Sequence, residues 1–184
     1  MRLRYLLILL LTFSCATTPV PRYERQSWRY PTDEDGDCQN TRAEVLVARS
    51  KVPVRFKGKK TCVVVSGLWD DFYYPEEIRD ARKAHIDHLV SLKEAHDAGG
   101  HAWGPEQKRR FANDPENLVI TSSKTNQQKG SKSFTTWVPV HQSYACRYLA
   151  GWKHVMAKYQ LPVSAQLARA LRANHCPASG SSRN

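Results

Sequence analysis

Three short segments carry residue types that together can break a phosphodiester bond: His85-Ile86-Asp87-His88, Asn113-Asp114-Pro115-Glu116-Asn117 and Asn126-Gln127-Gln128-Lys129-Gly130. That reaction needs a base that is neutral near pH 7, a cation that stabilises charge on the phosphate and leaving oxygen, and cationic donors for the nucleic-acid backbone. His88 can be the base. Asp87 and the amide oxygen of Asn126 are hard ligands suited to Mg2+, and Lys124 and Lys129 flank the second of them. Asp87 and His88 are neighbours, so on a regular strand they point to opposite faces. They can share a site only at a strand end, where the backbone turns. Singly, these residues have plainer readings: a satisfied histidine, a turn asparagine, a helix-stopping Gly130.

The elements that must position them can be read from local patterning. His85 to Val90 and Asn117 to Thr121 read as strands, and Ser122 to Lys129 as a short helix ended by Gly130. Between the strands, Leu92 to Ala98 is a helix stopped by Gly99-Gly100. Pro105 then opens another, through Ala112, which carries Arg109 and Arg110 as candidate backbone contacts. Upstream, Asn40 or Thr41 caps a helix over Arg42 to Arg49, Thr61 to Ser66 is a buried strand, and Pro75 to Lys83 is a short helix. Downstream, Tyr144 to Tyr159 and Ser164 to Asn174 are helices separated by Leu161-Pro162, with Ser164 as the second N-cap. This is an α+β pattern with helices outnumbering strands.

The chain has 184 residues, 41% of them hydrophobic, enough for one domain of roughly 150 residues with a real core. Wholesale disorder is excluded, and no internal run approaches the roughly 18 apolar residues of a membrane span. Met1-Arg2-Leu3-Arg4-Tyr5 followed by apolar Leu6 to Phe13 reads as an export leader over residues 1–14. Thr12-Phe13-Ser14-Cys15 resembles a lipobox, which would make Cys15 a lipidation site and the membrane anchor. Ordinary cleavage after Ala16 is the alternative, and the lipoprotein route is preferred. Residues 15–32 read as a tether, 33–176 as the domain and 177–184 as a flexible tail. Either route exports the protein, as an outer-membrane or periplasmic lipoprotein or as a secreted protein.

Export leaves Cys38, Cys62, Cys146 and Cys176 in an oxidising compartment, where two disulfides are expected. Positions 146 and 176 are equidistant from residue 161, so an antiparallel hairpin of the last two helices brings them together. The predicted pairs are Cys146–Cys176 and, by elimination, Cys38–Cys62. Charge is uneven. From Asn117 to Asn184 there are nine Lys or Arg, among them Lys124, Lys129 and Lys132, and no Asp or Glu. An anionic partner fits, with nucleic acid, anionic lipid and cell-wall polymer all candidates.

The ordered series Asp35-Gly36-Asp37-Cys38, Ser66-Gly67-Leu68-Trp69, Ile86-Asp87-His88-Leu89-Val90, Phe111-Ala112-Asn113-Asp114, Asn117-Leu118, Asn126 with Lys129-Gly130, Trp137-Val138-Pro139 and Cys146-Arg147-Tyr148 resembles the secreted HNH endonucleases related to the C-terminal domain of GmrSD restriction enzymes. The resemblance implies a ββα-metal (His-Me finger) core embedded in a mostly helical domain. It implies His88 as general base, Asp87 and Asn126 as ligands of one divalent cation, and Asn117 as the residue that steadies the loop and the base. Lys129 would contact a phosphate, and products would carry 5′-phosphate and 3′-hydroxyl ends. Two departures stand out. His85 replaces an Asp common in the family, which leaves Mn2+ or Zn2+ open beside Mg2+, and Ser91 stands where Pro is common.

Asp33-x-Asp35-x-Asp37 with Glu44 echoes an EF-hand loop, but Cys38 takes the place of the glycine that the sharp turn needs. A capping acidic turn is preferred to structural Ca2+. Trp103, Trp137 and Trp152 are expected in the core rather than as base-stacking platforms. The whole reads as an exported, monomeric, metal-dependent endonuclease acting on DNA, with RNA left open as a substrate, with low sequence preference and no evident protein partner. The competing reading is a non-catalytic envelope lipoprotein whose basic C-terminal half binds an anionic polymer.

Overall fold

The computed structural model describes residues 19–163 and 165–176. The expected export leader over residues 1–14, Cys15, Ser164 and the expected C-terminal tail over 177–184 lie outside them. Helix α1 (Thr41–Ala48) is capped by Asn40, whose side chain accepts from the Ala43 amide. Strands β1 (Arg55–Phe56), β2 (Val64–Asp70) and β3 (Glu77–Asp80) form an antiparallel sheet in that order. Strands β4 (Ala84–His88) and β5 (Leu118–Ser122) form a separate antiparallel pair, with α2 (Leu92–Asp97), a 3-10 turn and α3 (Pro105–Asn113) between them in the chain. Helix α4 (Ser123–Lys129) leaves β5 directly and packs on both strands, and α5 (Gln142–Lys158) and α6 (Gln166–Ala173) follow.

The helix expected over Pro75 to Lys83 is instead strand β3. Glu77 and Arg79 are exposed and Ile78 is buried, a period of two that lets Ile78 pack behind β2. Pairing with valine-rich β2 outweighs the local helical reading. The strand expected at Thr61 begins at Val64 and runs through Gly67 to Asp70. Residues 19–32 are not a loose tether. Trp28 is fully buried against Trp103 and Phe111, and Asn113 donates to the Arg29 carbonyl and accepts from the Thr32 amide.

Strand β5 divides two cores. Leu118 and Ile120 face α1 and the three-stranded sheet, whereas Val119 faces the helical side with Phe111, Leu149 and Trp152. Alternation along one strand buried on both faces produces this split. Arginines of the first helical segment fasten the pair: Arg42 donates to the Ala81 and Ala84 carbonyls, and Arg49 to those of Leu118 and Pro115. Both predicted disulfides are present, Cys38–Cys62 and Cys146–Cys176, with Cα separations of 5.1 and 5.3 Å. The second staples α5 to the end of α6, as the hairpin geometry requires. No helix among the described residues is long and apolar enough to cross a membrane.

Candidate active site

His88 is the last residue of β4, and its side chain lies on the face of the pair shared with Leu118, its cross-strand partner. Asp87 lies on the opposite face beside α4. Both nevertheless line one cleft of about 270 Å³, together with Asn126, Ser91, Tyr23 and Arg25. The strand ends here, and the chain turns into α2 around them.

The imidazole is fixed by α3. His88 Nε2 lies 2.8 Å from the Ala112 carbonyl oxygen, and since a carbonyl can only accept, Nε2 carries the proton. The neutral ring then has its lone pair on Nδ1. Burial pulls the His88 pKa down to about 4, outweighing the Ala112 bond and the Asp87 charge, which favour protonation. The Tyr30 ring meets the imidazole edge-on at 4.9 Å. A neutral, oriented histidine in a cleft has the protonation state a general base requires.

Asp87 is held from below. Its Oδ2 accepts from the Tyr73 hydroxyl at 2.7 Å and from Lys129 Nζ at 2.9 Å, leaving Oδ1 without a protein partner among the described residues. Burial and the Asp87 charge raise the Tyr73 pKa well above the ordinary phenol value, so it remains a donor. Tyr73 is itself positioned by Asp71, whose buried carboxylate accepts from the Tyr73 and Ser122 amides and the Thr121 hydroxyl. This buried chain from Asp71 to Asp87 leaves no periodic trace in the sequence, because its partners come from a loop after β2, from β5 and from α4.

Lys129 differs from its expected role. It is fully buried, and its ammonium donates to the His88 carbonyl at 2.7 Å as well as to Asp87. It cannot reach a phosphate, because its charge is spent fixing the backbone and carboxylate of the two preceding site residues. Arg109, another expected phosphate contact, is ion-paired with Glu34 and Glu106. Arg110 is exposed beside a different depression that also holds Glu34, Asp35 and Glu44. Lys124 is exposed on α4, and Lys132, also exposed, donates to the Gln128 carbonyl.

Asn117 is fully buried and clamps the chain just past His88. Its side chain accepts from the Val90 amide and donates to the Val90 carbonyl, while its own carbonyl accepts from the Leu89 amide. Asn126 Nδ2 donates to His85 Nδ1 at 3.2 Å, which turns the amide oxygen elsewhere. His85 therefore orients Asn126, and it lines a separate depression with Tyr30, Arg42 and Arg82. Ser91, where proline was expected, caps α2 by accepting from the Glu94 amide, and donates to the Ser131 carbonyl. Proline has no side chain that could do either.

The donor set suits a hard divalent cation. A free carboxylate oxygen of Asp87 and an amide oxygen of Asn126 share one cleft, few protein ligands with room for water and phosphate, as Mg2+ prefers. Elsewhere Asp33, Asp35 and Asp37 cluster on the surface, where Asp33 accepts from the Gly36 and Cys38 amides and Asp35 from that of Asp37. Those bonds describe an acidic turn.

The family model of the C-terminal domain of GmrSD restriction endonucleases matches residues 47–174. The chain belongs to that family. It is also 33% identical over 155 residues to an uncharacterized secreted protein of Arthroderma benhamiae, spanning 83% of this chain and 74% of that protein. No solved structure matches the chain. All the cleft residues of this GmrSD-type domain except Tyr23 and Arg25 lie within the matched span.

Proposed function

We propose that the protein is an exported, metal-dependent HNH endonuclease of the His-Me finger class that hydrolyses DNA with little sequence preference. The observation that carries the reading is that His88, Asp87 and Asn126 line one cleft, with His88 neutral and its bare nitrogen fixed by the Ala112 bond. The order β4, β5, α4, with His88 ending the first strand and Asn126 on the helix, supports a ββα reading. Family membership, the secreted relative and the two disulfides support a nuclease acting outside the cytosol.

In this reading His88 Nδ1 takes the proton of the attacking water, and Ala112 stabilises the imidazolium that forms. Asp87 and Asn126 are the residues that would hold Mg2+, which when bound would stabilise charge on the phosphate and leaving oxygen. Tyr73 and Lys129 keep Asp87 in place, and Asn117 keeps the strand end from fraying. Among the described residues no helix-turn-helix or zinc-finger module stands beside the cleft, in keeping with the non-specific substrate proposed.

The test is nicking of supercoiled plasmid by residues 16–184 with Mg2+ or EDTA, beside His88→Ala and His88→Asn. Cleavage is expected only with metal and only with His88, with all three proteins melting cooperatively. Metal-independent cleavage, or equal cleavage by a folded His88 variant, would overturn the proposal. An intact plasmid that is retarded on a gel by every variant would point to a binding protein instead.

A further inference from the structure

We propose that Arg25, carried by the N-terminal strap of residues 21–32, is the guanidinium that binds the substrate phosphate in the cleft. This rests on the nuclease reading above. A phosphodiester entering the cleft needs an accessible cation besides any bound metal. The cleft-lining side chains include two permanently charged candidates, Arg25 and Lys93. Lys93 is committed to Asp97 at 2.5 Å. Buried Lys129 is committed to Asp87 and to the His88 carbonyl. Arg25 is exposed, makes no ion pair with a carboxylate among the described residues, and donates to the neighbouring Tyr23 hydroxyl, a neutral partner. A planar guanidinium suits bidentate contact with phosphate.

The strap is built to hold that group still. His96 Nε2 donates to the Pro21 carbonyl at 2.8 Å, and Tyr23 packs edge-on against the His96 ring. Five residues further on, at the end of the 3-10 turn Arg25–Trp28, the Trp28 side chain is driven fully into the core. Tyr30 then abuts the His88 imidazole, and Asn113 ties down Arg29 and Thr32. Arg25 thus sits between two anchors, beside the base. Because the strap precedes residue 47, the family-matched span by itself places no arginine in the cleft, and this chain completes its site from outside that span.

The experiment compares residues 16–184 as wild type, Arg25→Ala, Arg25→Lys and Arg22→Ala, the last an exposed strap arginine that does not line the cleft. Plasmid cleavage is measured with Mg2+, and binding of a 20-base-pair duplex is measured over a salt series in a His88→Ala background. Arg25→Ala is expected to lose about tenfold or more in kcat/KM and to lower the salt slope of binding by about one, with an unchanged melting temperature. Arg25→Lys should recover part of the activity, and Arg22→Ala should match wild type. If Arg25→Ala behaves like Arg22→Ala while the wild type cleaves, the assignment fails and the nuclease reading survives. Lost activity with an unchanged salt slope would also overturn it, leaving Arg25 only structural. If the wild type does not cleave at all, the nuclease reading fails, and an undiminished slope in Arg25→Ala would remove the phosphate contact too.

Discussion

His88 works against its own surroundings, and its pH dependence should reveal that. Burial lowers its pKa to about 4 from 6.5. The acid limb of kcat/KM is therefore expected well below pH 6, measured as initial cleavage rates between pH 4 and 8; a limb near 6.5 would contradict the buried base. The same shift bears on stability. Between pH 6.5 and 4 the unfolded chain binds a proton that the folded one does not, so this residue makes stability fall as pH falls through that window. Glu94 acts in the opposite direction. Burial, against the pull of Trp152 and Lys129, raises its pKa from 4.5 to about 7. Below pH 7 the folded protein holds a proton that the unfolded chain releases, so stability contributed here rises as pH falls toward 4.5. Glu94→Gln should therefore melt higher than wild type at pH 8, with the difference vanishing toward pH 4.5. Lys129→Met tests the buried ion pair. Leaving Asp87 uncompensated is expected to cost about 3–5 kcal/mol in urea unfolding, whereas a lysine that merely touched phosphate would cost nothing.

The element that matters most is α4, because it delivers Asn126 and Lys129 to β4 from one short helix. Seven residues form a marginal helix alone, so its ends carry it. Ser122 caps the start by accepting from the Thr125 amide, while its own amide donates to Asp71. Gly130 ends it at φ 53° and ψ −133°, a backbone conformation closed to residues with a Cβ. Ser122→Ala is expected to cost about 1 kcal/mol, and Gly130→Ala about 1–3 kcal/mol. Both should lower cleavage more than equal losses made at the far end of α5, since they loosen Asn126. Thermal melts and plasmid cleavage on the same preparations would separate the two effects. Most of these elements are legible in the sequence. Asn40 stands before α1 and glycines after α2 and α4, and the apolar run of β5 reads as a strand. Strand β3 is the exception, because its partner β2, not its own residues, decides its conformation.

For the molecule as a whole, two cores meet at β5 and two disulfides close its ends. Each cross-link removes about 3–4 kcal/mol of unfolded-chain entropy for loops of this length. The double variant Cys146→Ser/Cys176→Ser is thus expected to melt well below wild type while keeping its cleft, which neither disulfide lines. The formal net charge of +11 further predicts that duplex binding weakens steeply as salt rises from 50 to 200 mM, read as a linear fall of log affinity with log salt.

The sequence by itself determined the α+β class, both cysteine pairings, and the meeting of His88 at a strand end with Asp87 and a helix-borne Asn126. Those depend on residue type, local period and chain spacing, which are all one-dimensional quantities. Only the tertiary structure decided what each charge is for. Burial turned Lys129 from a phosphate contact into the partner of Asp87, surface carboxylates claimed Arg109, and Asp71 and Tyr73 joined the site from a loop far away in the chain. The supposed tether became a wall of the cleft because Trp28 in the core, the His96 bond to Pro21 and the Asn113 bonds to Arg29 and Thr32 together fix it. Burial and partnership are properties of neighbours in space, and the linear order of residues does not contain them.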